Sequence, residues 1–472
     1  MNRFFDRYEW RREIPRRAYA RLDDLEPIFA GPDDALTLIL DAVDADWKGF
    51  AEGGPFDLTA PEPKTGLAER WQRKFAGEAP EGPDGYDDVP IYRIEISLSH
   101  RDWLHSTFPR DEEPWITLQI TEEGNDLPVD IYGGLFAPAT RAYLHAAPTS
   151  APSGALDAIF DMELWPDASP EDLINALQAP CGLSALVCFD VGQGSASALV
   201  CDCGYPVYYF DVGRGSGRNA PTAPQTIDFC TCANPVVIMS HWDTDHWAGA
   251  ANHQGLLRRI WVVPRQTISS THTTFANDIL AAGGRILVVP NGAPPLQWQG
   301  PAQSYDLRRG TGKGRNGTGQ ILIVTDGASR RAWVLTGDAG YHEIPHPVPN
   351  DIAAMVAPHH GADMGAKSVP FQRSAQPYAR LFYSFGPDNA HGPKTPATSH
   401  PVSATISAHS NANWKHGTWT PATPATSLAG ADVLATATHT TTHLQGAAAG
   451  WTAAPILTHL PHCANAMPVS QA

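Results

Sequence analysis

From Leu183 onward the chain is built of short apolar runs separated by glycine-rich turns: ALVCFD, ASALVC, VYYFD, PVVIMS, IWVVP, RILVVP, QILIVTD, RAWVLTGD, DIAAMVAP and RLFYSFG. Each is too short to be a helix that buries a face, and several are apolar at every position, as strands are when layers cover both sides. Helical stretches fit between some of them, notably STHTTFANDILAAGG from Ser270. The runs restrict this half of the chain to a strand-dominated α/β sandwich with functional groups at strand ends.

The first 180 residues read differently. DDALTLILDAVDADWKGF and GLAERWQRKFAG suggest helices, while IYRIEISL and PWITLQIT alternate as strands. An α+β domain is therefore expected over 1–180, a second domain over 181–445 and a C-terminal tail over 446–472. APTSAPSG has the composition of a linker, and SPEDLINALQ begins with a Ser-Pro helix start.

A formal net charge of -17 excludes a protein that coats nucleic acid through a basic surface, although a local basic channel is compatible with it. The beginning MNRFFDRYEWRREIPRR is charged throughout, and no apolar run approaches the length of a membrane span. A cytoplasmic protein without membrane contact is expected. Seven cysteines, an odd number without an export signal, point to reduced thiols. The C-x-C pairs Cys201/Cys203 and Cys230/Cys232 are spaced more tightly than structural zinc sites usually are, so buried free thiols are expected there.

The chemistry is densest at VIMSHWDTDHWAGA, where His241, Asp243, Asp245 and His246 fall within six residues after an apolar run. One carboxylate capping a helix beside packed histidines would be ordinary. Four ligand-type side chains on one loop at a strand end point instead to metal.

SHWDTDHWAG resembles the His-x-His-x-Asp-His signature of the metallo-β-lactamase superfamily, in the variant with Asp at the second histidine, as in the C-terminal domain of ComEC-type DNA-uptake competence proteins. CFDVGQGSASALV resembles the opening strand and turn of that family, with Ser195 where an Asp is usual, and YYFDVGRG its second strand. NGTGQILIV, VLTGDAG, VAPHHGA and SFGPDNAHGPKTPATSHP resemble its later turns, in the same order. The likeness runs from about Leu183 to Thr440. It implies a metallo-β-lactamase-type αββα sandwich, preceded by a separate α+β N-terminal domain that it leaves unexplained.

The resemblance implies two divalent metal ions. His241 and Asp243 would serve the first, Asp245 and His246 the second, and Asp338 would bridge them, with His360, or else His359, completing the second. The first site has few ligands: SYDLRRGTGKGRN holds no histidine where many superfamily members place one, which leaves only His253 and His272 between the signature and Asp338. Replacing an imidazole by the Asp243 carboxylate hardens the site, so Zn²⁺ or Mn²⁺ is expected and Mg²⁺ is compatible. Asp245 would join His400 and His391 in catalysis, the histidines as general acid or phosphate guide, and a metal-activated hydroxide would attack.

Arg308, Arg309, Lys313 and Arg315 of LRRGTGKGR, followed by Asn316, together with Asn389 and with Arg214 and Arg218 of DVGRGSGR, could track a nucleic-acid backbone; solvated loops are the plain alternative. Trp242 and Trp247 could stack on bases or pack in the core. A phosphodiesterase or nuclease acting on DNA is the leading expectation. A small-molecule hydrolase of cyclic nucleotides, esters or lactams is the second, and the third is a module governed by a protein partner docked on the N-terminal domain.

Overall fold

The structure, a computed structural model, describes residues 1–6, 13–27, 36–60, 63–78, 85–98, 103, 107–108, 114–225, 227, 229–386, 389, 400–421, 431–436, 446–455 and 469–470. The N-terminal strands are β1 (Arg17–Pro27), β2 (Leu36–Asp44), β3 (Ile91–Leu98), β4 (Ile116–Thr121), β5 (Leu127–Tyr132), β6 (Thr140–Leu144) and β7 (Thr149–Ser150). They pair antiparallel in the order β1-β2-β3-β5-β6-β4, and β4 pairs back onto β1, which closes the sheet into a small barrel. Ala18, Leu38, Leu40, Ile94, Ile96, Leu118, Val129 and Ala142 fill it.

Two expectations change here. DDALTLILDAVDADWKGF contains β2, not a helix: Leu36–Val43 is buried throughout and pairs with β1 on one side and β3 on the other. A run buried on both faces loses the periodicity that separates strand from helix. The stretch expected as a linker, residues 147–154, instead carries β7 and the first turn of the helix Ser153–Phe160.

All ten apolar runs beyond Leu183 are strands. One sheet holds β8 (Leu183–Phe189), β9 (Ala196–Cys201), β10 (Pro206–Val212), β11 (Val236–Ile238), β12 (Ile260–Pro264) and β13 (Arg285–Val289). A second holds β14 (Leu296–Gln299), β15 (Gln303–Arg309), β16 (Gln320–Asp326), β17 (Ala332–Leu335), β18 (Ile352–Val356), β19 (Arg380–Tyr383) and β20 (Val433–Ala435). β21 (Gly446–Ala449) and β22 (Val469–Ser470) return to the edge of the first sheet beside β8.

The two sheets face each other across Leu186, Phe210, Ile238, Val262, Leu322, Val324, Trp333 and Leu335. Alternation sends Ile321 and Ile323 of β16 to the other face, where they meet Tyr383, Trp414 and the helix Ser403–Asn411. On the opposite outside, the helix Ser270–Ala281 covers the first sheet through Phe275. The order of layers is αββα.

The barrel is joined to this sandwich by a common core in which Phe5, Phe50, Trp71 and Phe160 pack with Val187, Tyr209, Trp247 and Trp261. Polar contacts fix the same seam. Asp41 of β2 accepts hydrogen bonds from Ser270 Oγ (2.7 Å), Thr271 N (2.7 Å) and Thr271 Oγ1 (2.9 Å), so the barrel satisfies the start of a sandwich helix. No helix among the described residues is long and apolar enough to cross a membrane.

The cysteines also depart from expectation. Cys201 and Cys203 are joined as a disulfide, Cys203 lies exposed in the turn after β9, and the Cys181 sulfur is 3.9 Å from that of Cys203. The turn breaks the strand alternation that would have buried both thiols.

Candidate metal centre

The loop after β11 carries His241, Asp243, Asp245 and His246, and both histidines are fully buried. Asp211, at the end of neighbouring β10 with a positive φ of 60°, organises it. Its carboxylate accepts Ser240 N (2.6 Å) and Ser240 Oγ (2.8 Å), and lies 2.8 Å from His246 Nδ1. The His246 Nδ1–H therefore donates to Asp211, and its Nε2 faces the cleft. Ser240 Oγ donates to Asp211 and so accepts from His241 Nδ1 at 2.9 Å, which turns the second Nε2 the same way. Gly213 lets this loop settle: a Cβ there would lie 1.6 Å from the Asp245 carbonyl oxygen.

Around these nitrogens stand the carboxylates. Asp338, in the turn after β17, presents Oδ1 to His246 Nε2 (3.2 Å), and Oδ2 to His241 Nε2 (3.7 Å) and His359 Nε2 (3.6 Å). Asp245 Oδ2 is 3.0 Å from His360 Nε2, whose Nδ1–H donates to the Ser384 carbonyl at 2.8 Å. His359 and His360 sit in a tight turn at φ 47° and 54°, conformations that cost a non-glycine residue about 1–3 kcal/mol each. That turn aims His360 at Asp245 and leaves His359 partly exposed beside Asp338.

The cluster perturbs its own protonation. Burial opposes the charged form of Asp245, yet His246 and His360 hold its carboxyl down at about 2. Burial likewise works against His246, but Asp338, Asp211 and Asp245 together raise its imidazole well above the ordinary range. His360 is shifted the same way, against the effect of burial, through its hydrogen bond to Asp245 and the charge of Asp338.

The donors fit a metal. The Nε2 atoms of buried His241 and His246 have no partner in hydrogen-bond geometry among the described residues. Two sets of ligand atoms, His241/His246/Asp338 and Asp245/His246/His360, each lie within 4.8 Å of one another. Nitrogen and carboxylate donors so arranged suit Zn²⁺ or Mn²⁺.

Asp243 is held differently. Its Oδ2 lies 3.2 Å from His241 Nε2, but its Oδ1 is 2.6 Å from Nε of Arg315. The Arg315 guanidinium also reaches Asp23 of β1, at 2.8 Å from Oδ1, and the Asp23 carbonyl. Burial opposes ionisation of Asp243, and Arg315 with His241 overcomes it, so the carboxyl stays well below its usual range.

The barrel roofs the cleft. Asp23, Asp24, Ile39 and Arg93 line the same space as Gln193, Asp243, Asp245, Asp338 and His359, about 470 Å³ including the part open to solvent. Burial, and then Asp243, push the Asp24 carboxyl up to about 7. The buried Gln193 Nε2 lacks a hydrogen-bond partner among the described residues. Asp211, Gln193, Asp23, Asp24 and Arg93 carried no local signal as site residues, except that Asp211 and Gln193 stand in the two quoted DVG motifs.

Of the expected basic track, Arg315 reaches the cleft, whereas Arg308 and Arg309 turn into the protein. Arg308 is buried, pairs bidentately with Asp306 (2.7 and 2.9 Å) and donates to the carbonyls of Pro345 and Pro347. Arg309 donates to the carbonyls of Thr318, Val289 and Arg265. Lys313 is exposed ahead of the short helix Gly314–Gly317, and Asn316 is half-buried within it. Asn389 donates to the carbonyls of Gly386 and His400 and accepts from His400 N, tying that loop together. His400 is buried with its ring 5.4 Å from that of His359. His391 lies outside the described residues. Arg214 lies over Phe136, and Trp242 and Trp247 are fully buried in the core with their indole N–H groups donating to Pro264 and Trp242 carbonyls. His253 caps the helix Gln254–Leu257, and His272 lies 3.7 Å from Asp23.

Among solved structures, the chain is similar to Zn²⁺-bound PqqB from Methylobacterium extorquens, at 10% identity over 47% of this chain and 84% of that one, with a TM-score of 0.28. It is similar to human tRNase Z, short form, at 14% identity over 36% of this chain and 76% of that one, with a TM-score of 0.24. It is also similar to isothiocyanate hydrolase from Delia radicum gut bacteria, at 13% identity over 53% of this chain and 95% of that one, with a TM-score of 0.28. No family model and no curated protein matches the chain.

Proposed function

We propose that this chain is a metal-dependent hydrolase acting on a phosphodiester, and that it accepts a strand end or a small nucleotide in preference to an intact duplex. The observation that carries the reading is the convergence on Asp338 of the His241 and His246 Nε2 atoms, which have no partner in hydrogen-bond geometry among the described residues, beside the Asp245–His360 pair. Asp245, His246, Asp338 and His360 would hold a divalent ion, which supplies charge neutralisation and a polarised water when bound. Two carboxylates stand among these four donors, a harder set than imidazoles alone, which favours an anionic phosphate substrate over a neutral acyl group.

The chain's own groups carry the remaining steps. Asp211 and the Ser384 carbonyl keep His246 and His360 in the tautomers that present Nε2. Gln193 Nε2 donates to a substrate oxygen, which satisfies a buried donor without a hydrogen-bond partner among the described residues. His359, 25% exposed over the cleft, returns a proton to the leaving oxygen, and His400 acts through it as a positioning residue. The barrel roof limits what enters, because Asp23, Asp24, Ile39 and Arg93 close over the same space as Asp243, Asp245, Asp338 and His359.

The same roof favours a second reading, a compact ester or lactam, because Arg308 and Arg309 face the protein and leave no extended anion track. Both readings are separated by stripping the protein with chelator, resupplying Mn²⁺, Mg²⁺ or Zn²⁺, and offering linear and circular single- and double-stranded DNA, cyclic nucleotides and a chromogenic ester. The expected result is metal-dependent cleavage of linear single strands or small nucleotides, reduced on the order of 10³-fold in Asp338→Ala. Turnover of the ester alone would move the assignment to the second reading. Inactivity on every substrate with every metal would end the hydrolase reading.

A further inference from the structure

We infer that this site binds one divalent ion, and that the Arg315 guanidinium, clamped between Asp243 and Asp23, stands where a second ion would otherwise sit. The inference rests on the metal-dependent reading above and fixes its stoichiometry.

The two flanks of Asp338 are built differently. On the flank of Asp338 Oδ1, His246 and His360 offer imidazole nitrogens that face the carboxylates of Asp338 and Asp245 directly. On the flank of Asp338 Oδ2, the candidate donors are His241 Nε2 and the Asp243 carboxylate, and Asp243 Oδ1 is ion-paired with Arg315 Nε, 2.6 Å away though outside hydrogen-bond geometry. Arginine stays protonated at any ordinary pH and has no acceptor, so it can neither ligate an ion nor give up its charge to admit one. The guanidinium is anchored from its far end too, through Asp23 Oδ1 at 2.8 Å and the Asp23 carbonyl. The Arg315 and Asp23 side chains are 11% and 9% exposed, so solvent does little to weaken the pair.

Charge agrees with geometry. Asp243 already faces a fixed positive charge from the guanidinium, which lowers the demand of this flank for a second cation. The part of the chain that supplies Arg315, the short helix Gly314–Gly317, reaches the cleft at the side of Asp243, and the barrel strand β1 holds it there. The N-terminal barrel thereby takes part in setting the metal content of the sandwich.

The test measures metal per chain by mass spectrometry after stripping and re-equilibration with Mn²⁺ or Zn²⁺, together with the electron paramagnetic resonance spectrum of the Mn²⁺ form. The expected result is about one ion per chain and an isolated Mn²⁺ signal in the wild type, rising to about two ions with exchange coupling in Arg315→His, which exchanges the cation for a donor. Arg315→Lys, which keeps the charge, is expected to stay near one. Two coupled ions in the wild type would overturn the inference and leave the metal-dependent reading standing. No bound ion in the wild type would overturn both. An unchanged count in a folded Arg315→His would overturn it as well. If the Arg315 variants fail to fold, Asp23→Asn decides, because it loosens the guanidinium without altering a proposed ligand: a gain of second-ion binding supports the inference, and no gain overturns it.

Discussion

The two flanks of Asp338 use the same residue types to opposite ends. His246 and His360 are each oriented by an acceptor behind the ring, and their Nε2 atoms face carboxylates across gaps of 3.0–3.8 Å that an ion can occupy. Asp243 faces a permanent cation contributed by a distant segment and braced by the barrel. A carboxylate's place in a ligand motif therefore does not decide whether it binds metal; its strongest neighbour does.

That contrast is broken most directly by neutralising one carboxylate on each flank. Asp245→Asn is expected to lower metal affinity by more than about 100-fold, whereas Asp243→Asn leaves the first equivalent of metal within about tenfold of wild type, as followed by competition with a chromophoric chelator. Equal losses in the two variants would remove the distinction. A smaller effect sharpens the ligand side: Asp211→Asn is expected to weaken metal binding by about 10–100-fold, because the amide can offer its N–H to His246 Nδ1 and favour the wrong tautomer.

Arg308→Ala tests whether the basic run serves the fold or the substrate. Loss of its pair with Asp306 and of two carbonyl contacts is expected to cost about 2 kcal/mol in denaturant unfolding, with the salt dependence of substrate affinity unchanged. A flatter salt dependence with normal stability would return Arg308 to the substrate path.

The smallest effect concerns the roof. The Asp24 carboxyl is raised from 3.8 to about 7, by burial first and by Asp243 second, so the folded state holds its proton more tightly than the unfolded chain. Stability from this group is present at acid pH and is lost as pH rises between 3.8 and about 7. Metal-free Asp24→Asn should therefore gain stability relative to wild type as pH rises through that window, and the difference should level off above it. A melting-temperature difference that does not change with pH would show that Asp24 ionises normally.

Much of the architecture could be read locally. The ten apolar runs are all strands, the Ser169–Pro170 start is a capped helix with Ser169 Oγ accepting Asp172 N at 3.0 Å, and His241, Asp243, Asp245, His246, Asp338 and His360 do converge. Strand periodicity and ligand spacing along one loop are short-range properties, so a sequence window contains them. β2 escaped because burial on both faces erased its alternation.

What the sequence alone determined is the ten apolar strands of the sandwich, their turns and the donors that strand ends carry. Only the tertiary structure decided which charges neutralise one another. Arg315 and Asp23 are 292 residues apart, Asp41 and Thr271 are 230 apart, and both pairs exist because the barrel closes onto the sandwich. A buried charge takes whichever partner the packed chain places within reach, and no local pattern encodes that choice. The same packing turned Arg308 and Arg309 into structural ties and Arg315 into part of the site.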